Sequence, residues 1–293
     1  MAAIFVAGAA ALELGRGQAA IVDAAPVSEA MHQQDILPLV RPQPVTPAPA
    51  LEPDSRPVIA LVIDDAGVDP ALTRRAMALG IPLTLSFLPY AETTPELARS
   101  AGQAGFDVFL HMPMEPVGLE DPGPGALTRY LSPAETAARM EWALSRVPGA
   151  IGFNNHMGSA LTADAAAMRA ALAPVAGSDL IFLDSLTRGH SRAAAVAQGL
   201  GLTTLRRDVF IDHDPSRIAE SLDALAAQAR RDGRAIAIGH PRTVTLSELE
   251  AWLADPANQD VRFVTVRTYL ERADNPVRLA ASDETMGLFG GAE

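Results

Sequence analysis

The sequence contains no cysteine among its 293 residues. This absence excludes disulfide bonds, thiolate nucleophiles and cysteine-ligated metals, so any metal must be held by histidine and carboxylate side chains. Aromatic residues are also few, with two tryptophans and three tyrosines. Recognition of a long glycan by stacking of sugars on aromatic rings is therefore expected to be limited.

Positive charge is in short supply as well. The chain has 23 lysine and arginine residues against 35 aspartate and glutamate residues, and its net charge is −12. No run of basic residues could follow a phosphate backbone, so nucleic acid is not an expected partner. No G-x-G-x-x-G or Walker sequence follows a predicted strand, so no dinucleotide or nucleotide site is predicted either.

Residues 1–25 form an apolar N-terminal segment that is too short to span a membrane. Its apolar run ends at Glu13, well short of the roughly 20 residues that a membrane helix needs. The segment fits the apolar region of a secretory signal or the remnant of an anchor, although a basic stretch before it is missing. The alternative is an unfolded or wrongly assigned start of the chain.

Residues 26–56 are predicted to be a linker. Eight prolines occur from Pro26 to Pro57 among small and polar residues, which opposes helix and sheet and favours extended polyproline II. A spacer of this kind suits a periplasmic or envelope-associated bacterial protein whose N-terminus associates peripherally with the inner membrane. It equally suits a plain tail on a cytoplasmic protein.

Residues 57–270 alternate between strand and helix patterns and are predicted to form one α/β domain. Strands are predicted near residues 58–63, 82–88, 107–111, 150–153, 180–184, 202–205, 234–239 and 261–266. Helices are predicted near residues 70–79, 95–104, 133–146, 163–173, 191–198, 215–231 and 246–254. This alternation favours a (β/α) barrel of seven to eight parallel strands over a doubly wound sheet. Residues 271–293 lack periodicity and are predicted to be a tail.

The first predicted strand ends in two adjacent carboxylates, Asp64 and Asp65. Carboxylates are rarely buried without a partner, so a pair where an apolar run meets a loop indicates a cation or a proton-transfer task. Ligands of α/β folds bind at this edge of the sheet. The alternative is that Asp65 caps the next helix while Asp64 is solvated.

Polar residues follow most of the other predicted strands. They are His111, Glu115, Asn154, Asn155, His156, Asp184, Ser185, Arg207, Asp208, Asp212, His213, Asp214 and His240. Four of the six histidines therefore lie at this edge. A single histidine is more often structural, but imidazole and carboxylate without thiolate are the ligands of a catalytic zinc or a similar divalent ion. The chemistry that they indicate is metal-assisted hydrolysis.

Five motifs in this domain resemble those of one family. They are Ile63–Gly67 (IDDAG), His111–Pro116 (HMPMEP), Gly152–Ser159 (GFNNHMGS), Phe182–Ser185 (FLDS) and Ile238–Pro241 (IGHP). Together they resemble the divergent polysaccharide deacetylases, a YibQ-like branch related to the NodB-type carbohydrate esterases. The resemblance implies a distorted (β/α) barrel of the deacetylase type that hydrolyses the amide bonds of N-acetylated sugars with a divalent metal, zinc by preference.

The resemblance also implies roles for individual residues. Asp64 corresponds to the catalytic base, Asp65 and His111 to metal ligands, and His240 to the histidine that protonates the leaving amine. In the better-known deacetylases the second metal histidine belongs to an H-x-x-x-H run, in which this chain has Glu115 instead. The third ligand is expected to be His156, with Glu115 as the alternative.

Two further features bear on function. The first is that the family's R-x-P-Y/F motif is not recognisable in this chain. The second is a set of expected substrate contacts, which are assigned to Asn155, Asp184 and Asp208. The first hypothesis is a metal-dependent deacetylase of an envelope polysaccharide or peptidoglycan. The second is a catalytically silent relative that binds glycan or acts as a scaffold in the envelope, and the third is a cytoplasmic barrel with a structural ion.

Overall fold

The described part of the chain comprises residues 55–187 and 189–273 of a computed structural model. The proposed apolar segment 1–25, the linker up to residue 54 and the tail from residue 274 lie outside these residues. The proposed domain boundary at residue 270 falls within the last described helix, which runs to Ala273.

The strands of the described residues form one parallel sheet. They are β1 (Val58–Ala66), β2 (Thr84–Phe87), β3 (Asp107–Met114), β4 (Gly152–Met157), β5 (Ile181–Asp184), β6 (Thr203–Arg206), β7 (Val209–Phe210), β8 (Arg234–Gly239) and β9 (Arg262–Val264). The order across the sheet is β6-β5-β4-β3-β2-β1-β8-β7, and β9 also pairs with β1. Consecutive strands are therefore mostly neighbours, as in a βαβ fold with right-handed crossovers.

The sheet curls until its two edges approach each other. Only Arg207 and Asp208 separate the edge strands β6 and β7 along the chain. The backbone N–H of Arg207 still donates to Asp184 in β5, and that of Asp208 already donates to Ile236 in β8. The curled, parallel (β/α) architecture predicted from the sequence is confirmed.

Helices follow most of the strands. They are α1 (Pro70–Met77), α2 (Thr94–Gln103), α3 (Pro133–Arg146), α4 (Ala165–Leu172), α5 (Ala193–Gly199), α6 (Ile218–Asp232), α7 (Thr243–Ala254) and α8 (Val266–Ala273). Local chemistry fixes several of their starts: Asp69 accepts hydrogen bonds from the first turn of α1, and Ser132 forms a capping box with Glu135 in α3. None of the described helices has the length and apolar character needed to cross a membrane.

Two structural elements differ from the sequence prediction. Strand β7 was not predicted, because two residues are too few to show a hydrophobic period. The segment 261–266 was predicted to be a strand throughout, but β9 ends at Val264 and α8 begins at Val266. The hydroxyl and carbonyl oxygens of Thr265 accept hydrogen bonds from the N–H groups of Thr268 and Tyr269, so Thr265 starts a helix within a β-branched run.

The sheet separates two layers of core. In β1, Ile59, Leu61 and Ile63 pack toward the helices, whereas Val58, Ala60 and Val62 belong to a smaller cluster inside the curl. Successive side chains of a strand point to opposite faces, so the inner face of each strand can be followed residue by residue to its carboxyl end. That continuation leads to the polar cluster described next.

Candidate metal and catalytic site

Polar residues take over from the inner apolar row at the carboxyl ends of the strands. Val62 is followed on the same face by Asp64, Phe109 by His111, and Ile238 by His240. On β4 the same alternation runs from Gly152 through Asn154 to His156. Parallel strands end at one edge, so these side chains converge above the dry interior.

Three candidate metal ligands lie in contact. Oδ1 of Asp65 is 3.4 Å from Nε2 of His111 and 3.2 Å from Nδ1 of His156, and the two ring nitrogens are 3.1 Å apart. Oδ1 of Asp65 is buried and has no hydrogen-bond partner. Asp65 also has a left-handed backbone, with φ of 56°, a conformation that costs energy in a non-glycine residue and is concentrated at functional sites.

Asn154 fixes the orientation of the His111 ring. Its Nδ2 donates to both carboxylate oxygens of Asp64, at 2.8 and 3.0 Å, so its Oδ1 faces Nδ1 of His111 at 2.9 Å. Nδ1 of His111 therefore carries a proton, and when the imidazole is neutral its Nε2 presents a lone pair to Asp65 and His156.

When both imidazoles are neutral, the cluster has more acceptors than donors. A proton on Nδ1 of His156 can then satisfy either Nε2 of His111 or Oδ1 of Asp65, and the other buried acceptor is left without a donor. A divalent ion satisfies all three ligand atoms at once. Two imidazole nitrogens and one carboxylate are the donor types of a catalytic zinc or a similar ion, so the residues present fit such a group.

The pKa values of the two adjacent aspartates are shifted in opposite directions. Burial raises the pKa of the Asp64 carboxyl, and the charges of His111 and His240 offset this only in part. Burial also acts to raise the pKa of Asp65, but contacts with His111 and His156 outweigh it and hold that pKa well below its usual range. Asp65 is therefore ionised, and a cation bound nearby would favour the ionised form of Asp64.

His240 is held by a buried carboxylate. Nδ1 of His240 donates to Oδ1 of Asp212 at 3.0 Å, and Oδ2 of Asp212 accepts from the backbone N–H of His240 and from the Thr245 hydroxyl. Nε2 of His240 is turned to the site, 3.8 Å from Oδ2 of Asp65. Burial acts to lower the pKa of His240, but Asp212 and Asp65 outweigh it and raise the pKa above its usual value.

Glu115, the alternative metal ligand, lies apart from the cluster. Its Oε1 accepts from the guanidinium of Arg129 at 2.8 Å, and its Oε2 accepts from the backbone N–H of Arg129. Arg129 lowers the pKa of the Glu115 carboxyl, which is therefore an ion-pair partner. His156, and not Glu115, lies beside Asp65 and His111 in the structure.

The three residues assigned to substrate contacts each make hydrogen bonds to other parts of the chain, and Asp208 is exposed. Asn155 donates to the carbonyl of Met157 and accepts from the N–H of Ser185. Asp184 accepts from the N–H of Leu186 and from the Ser191 hydroxyl. Asp208 accepts from the N–H of Ile236. These side chains organise loops and strand ends and do not join the cluster around Asp64.

Sequence reasoning did not assign three residues that the structure brings into the site. Asn154 and Ser86 are fully buried, and the Ser86 hydroxyl donates to Oδ1 of Asn154 at 2.5 Å. Asp212 holds His240. The signal that could have found Asn154 is its spacing of two residues from His156, which puts both on one face of a strand.

Comparison with known sequences decides the family. The profile described as divergent polysaccharide deacetylase matches residues 61–270, which include every residue of the cluster. The chain belongs to this family. The divergent polysaccharide deacetylase domain thus coincides with the curled sheet and its helices.

Two bacterial relatives are similar in sequence to this divergent polysaccharide deacetylase. The chain is 33% identical to the uncharacterized protein YibQ of Escherichia coli K12 over 194 residues, 66% of this chain and 61% of that protein. It is 36% identical over 213 residues to an uncharacterized protein of Haemophilus influenzae Rd, 70% of this chain and 74% of the other. The match therefore spans somewhat less than two thirds of the Escherichia coli protein.

Solved structures support the fold. A crystal structure of an uncharacterized protein from Agrobacterium tumefaciens C58 superposes with a TM-score of 0.68 at 21% identity, covering 73% of this chain and 89% of that one. A protein of Enterococcus faecalis V583 superposes with a TM-score of 0.52 at 14% identity, covering 73% of this chain and 99% of the other. At these identities the similarity concerns architecture alone.

Proposed function

We propose that the protein is a metal-dependent amidohydrolase that deacetylates N-acetylated sugars of an envelope polysaccharide or peptidoglycan. The observation that carries this proposal is the buried, partnerless Oδ1 of Asp65 between His111 and His156, with Asp64 and His240 beside it. Membership of the divergent polysaccharide deacetylase family supports the substrate class.

Asp65, His111 and His156 are the residues that would hold the ion. A divalent ion bound there, zinc by preference, would polarise a carbonyl oxygen and favour deprotonation of water. Asp64 is the base that takes the proton from the attacking water. Its carboxylate lies 3.6 Å from Nε2 of His111 and is oriented by Asn154, so the base stands next to the ligand set.

His240 is the acid that gives a proton to the leaving nitrogen. Its Nδ1–H is held by Asp212, which leaves Nε2 as the atom that faces the site. Because Asp212 and Asp65 favour the protonated imidazole, His240 holds the proton that an amine leaving group requires. Asp64 and His240 thus divide base and acid between two side chains of the same edge.

Metal analysis and acetate release test the proposal together. The purified protein is dialysed against a chelator, reloaded with zinc, cobalt or nickel, and assayed on acetylated chito-oligosaccharides and peptidoglycan fragments, with the chelated protein as control. The proposal expects one bound ion per chain and acetate release that requires it. If the metal-loaded protein releases no acetate from any of these substrates, the enzyme hypothesis is wrong, and the alternative of a catalytically silent, glycan-binding barrel is favoured.

The location of the protein is a separate proposal. An apolar N-terminal segment followed by a proline-rich stretch supports export to the periplasm or the cell envelope. A fusion of residues 1–56 to a reporter that is active only outside the cytoplasm tests it. An inactive reporter of normal abundance would point to the cytoplasm.

A further inference from the structure

Asn154 touches both halves of the site. Its side-chain nitrogen donates to the two oxygens of Asp64, and its side-chain oxygen accepts from Nδ1 of His111. The Ser86 hydroxyl donates to the same oxygen, and the Ser185 hydroxyl lies 3.0 Å from the nitrogen. Asn154 is fully buried, so these bonds do not exchange readily with water.

The amide has two ends with different chemistry, and each meets the partner that needs it. The N–H donors hold a carboxylate, and the carbonyl oxygen holds a ring N–H. Turning the amide over would set its oxygen against the carboxylate of Asp64 and its NH2 group against the N–H of His111, so the network allows one orientation. The amide of Asn154, on β4, therefore fixes the position of His111 on β3 relative to Asp64 on β1.

We propose that Asn154 is a positioning residue that sets the metal-ligand tautomer of His111 and, at the same time, holds Asp64 in place as the base. The first role requires only a metal site, and the second rests on the proposed function. A bond from the outer nitrogen of a ligating histidine to an acceptor typically strengthens metal binding 10- to 100-fold. In this chain a side-chain amide supplies that acceptor and tethers the base with its other end.

Two substitutions separate the roles. Asn154→Asp keeps an oxygen for Nδ1 of His111 but removes the donor to Asp64 and sets a like charge against it. Asn154→Leu has a similar volume and removes both bonds. Asn258→Asp is the matched control, because it makes the same chemical change at a residue whose amide bonds to the Trp252 carbonyl beyond the amino end of β9.

The readouts are the affinity for Co²⁺ by calorimetry, the Co²⁺ absorption spectrum, the circular dichroism of each variant and acetate release. We expect Asn154→Asp to bind Co²⁺ within about threefold of wild type or more tightly, and to lose acetate release by about 100-fold or more. We expect Asn154→Leu to lose Co²⁺ affinity by about 10- to 100-fold and to lose acetate release as well.

Three results overturn the inference. They are a Co²⁺ affinity that falls equally in folded Asn154→Asp and Asn154→Leu, full acetate release by Asn154→Asp, and a wild-type protein that binds no metal. If Asn154→Leu does not fold, Asn154→Asp compared with wild type and Asn258→Asp still decides the base-holding role, and Asn154→Ala, which also removes both bonds, takes its place in the Co²⁺ titration that decides the role toward His111. Wild-type protein that binds Co²⁺ but releases no acetate refutes the proposed function and the base-holding role, while the affinities still decide the role toward His111.

Discussion

Nε2 of His111 and Nδ1 of His156 lie 3.1 Å apart, although the two residues belong to different strands. In the parallel register His111 is opposite Asn154, and His156 lies two residues further along β4, opposite Pro113. The second imidazole of the cluster therefore reaches across the sheet from the neighbouring strand. Glu115, at the position expected from the resemblance to the better-known deacetylases to correspond to their second histidine, binds Arg129 instead.

The first prediction compares His156 with Glu115. Loss of a residue that hydrogen-bonds to a metal ligand typically lowers metal affinity about 10- to 100-fold. His156→Ala removes a proposed ligand itself, so it should lower the zinc affinity by at least that much. Glu115→Gln should leave the affinity nearly unchanged, since that carboxylate lies on Arg129. Competition with a chromophoric chelator measures both. The opposite pattern would make Glu115 the ligand.

The second prediction concerns the base. Asp64→Asn keeps an acceptor and the volume of the side chain, and it leaves Asp65 to hold the ion. Acetate release should fall by about two to four orders of magnitude, because a general base contributes about that much. Metal content, measured by plasma emission on the same sample, should stay the same. Loss of the metal together with activity would make Asp64 a ligand instead.

The third prediction uses the Asp212–His240 pair in metal-free protein. Burial opposes ionisation of Asp212, but its bonds to His240 lower its pKa, so its contribution to stability is present above the usual pKa of 3.8 and is lost as the pH falls through the folded value. The pKa of His240 is raised, so its contribution is present below the usual 6.5 and is lost as the pH rises through the folded value.

The free energy of unfolding lost in Asp212→Asn should therefore be largest between about pH 4 and 6.5 and should shrink on both sides. A loss of about 1–3 kcal/mol in that window is expected for a buried, charge-assisted network. Urea titrations at several pH values, with chelator present, measure it. A loss that does not vary with pH would mean that Asp212 acts through packing alone.

The fourth prediction tests how tightly the interior fixes β4. A Cβ on Gly152 would lie 2.5 Å from the carbonyl oxygen of Ile181 and 2.6 Å from the ring of Phe109. Gly152→Ala should cost about 1–3 kcal/mol by overpacking, and it should weaken metal binding because β4 carries Asn154 and His156.

Gly199→Ala is the control for this substitution. A Cβ there would meet no atom within 4 Å, and the residue is the last of α5. Its thermal midpoint should stay the same or rise slightly, with metal affinity unaffected. A Gly152→Ala protein as stable as wild type would show that the strand can shift to make room.

The order of strands and helices could be predicted because it depends on local patterns. Pro133–Arg146 was predicted with the bounds that α3 has, since proline, a serine cap and a 3.6-residue period mark it. Strand β7 escaped prediction because its two residues are defined only by pairing with β8. A strand held by long-range pairing alone leaves no trace in sequence.

The candidate site was harder to predict in one respect, which is the face of the strand. Five of its residues lie together in the structure, and their imidazole and carboxylate groups had marked them in the sequence. They are Asp64, Asp65, His111, His156 and His240. Asn155 was selected over Asn154, and one step along a strand exchanges the inside for the outside. The inner face is set by packing against the neighbouring strands, so composition alone could not distinguish the two amides.

Buried apolar side chains on the inner faces of the strands close the site on the side away from the carboxyl edge. Val62, Phe109, Leu183, Ile236 and Ile238 are at most 2% exposed, so these residues leave no passage through the curl. Substrate would therefore reach Asp64 from the carboxyl edge of the sheet, the side on which the polar cluster lies. If the proposed deacetylation takes place there, water, substrate and both products would share that approach.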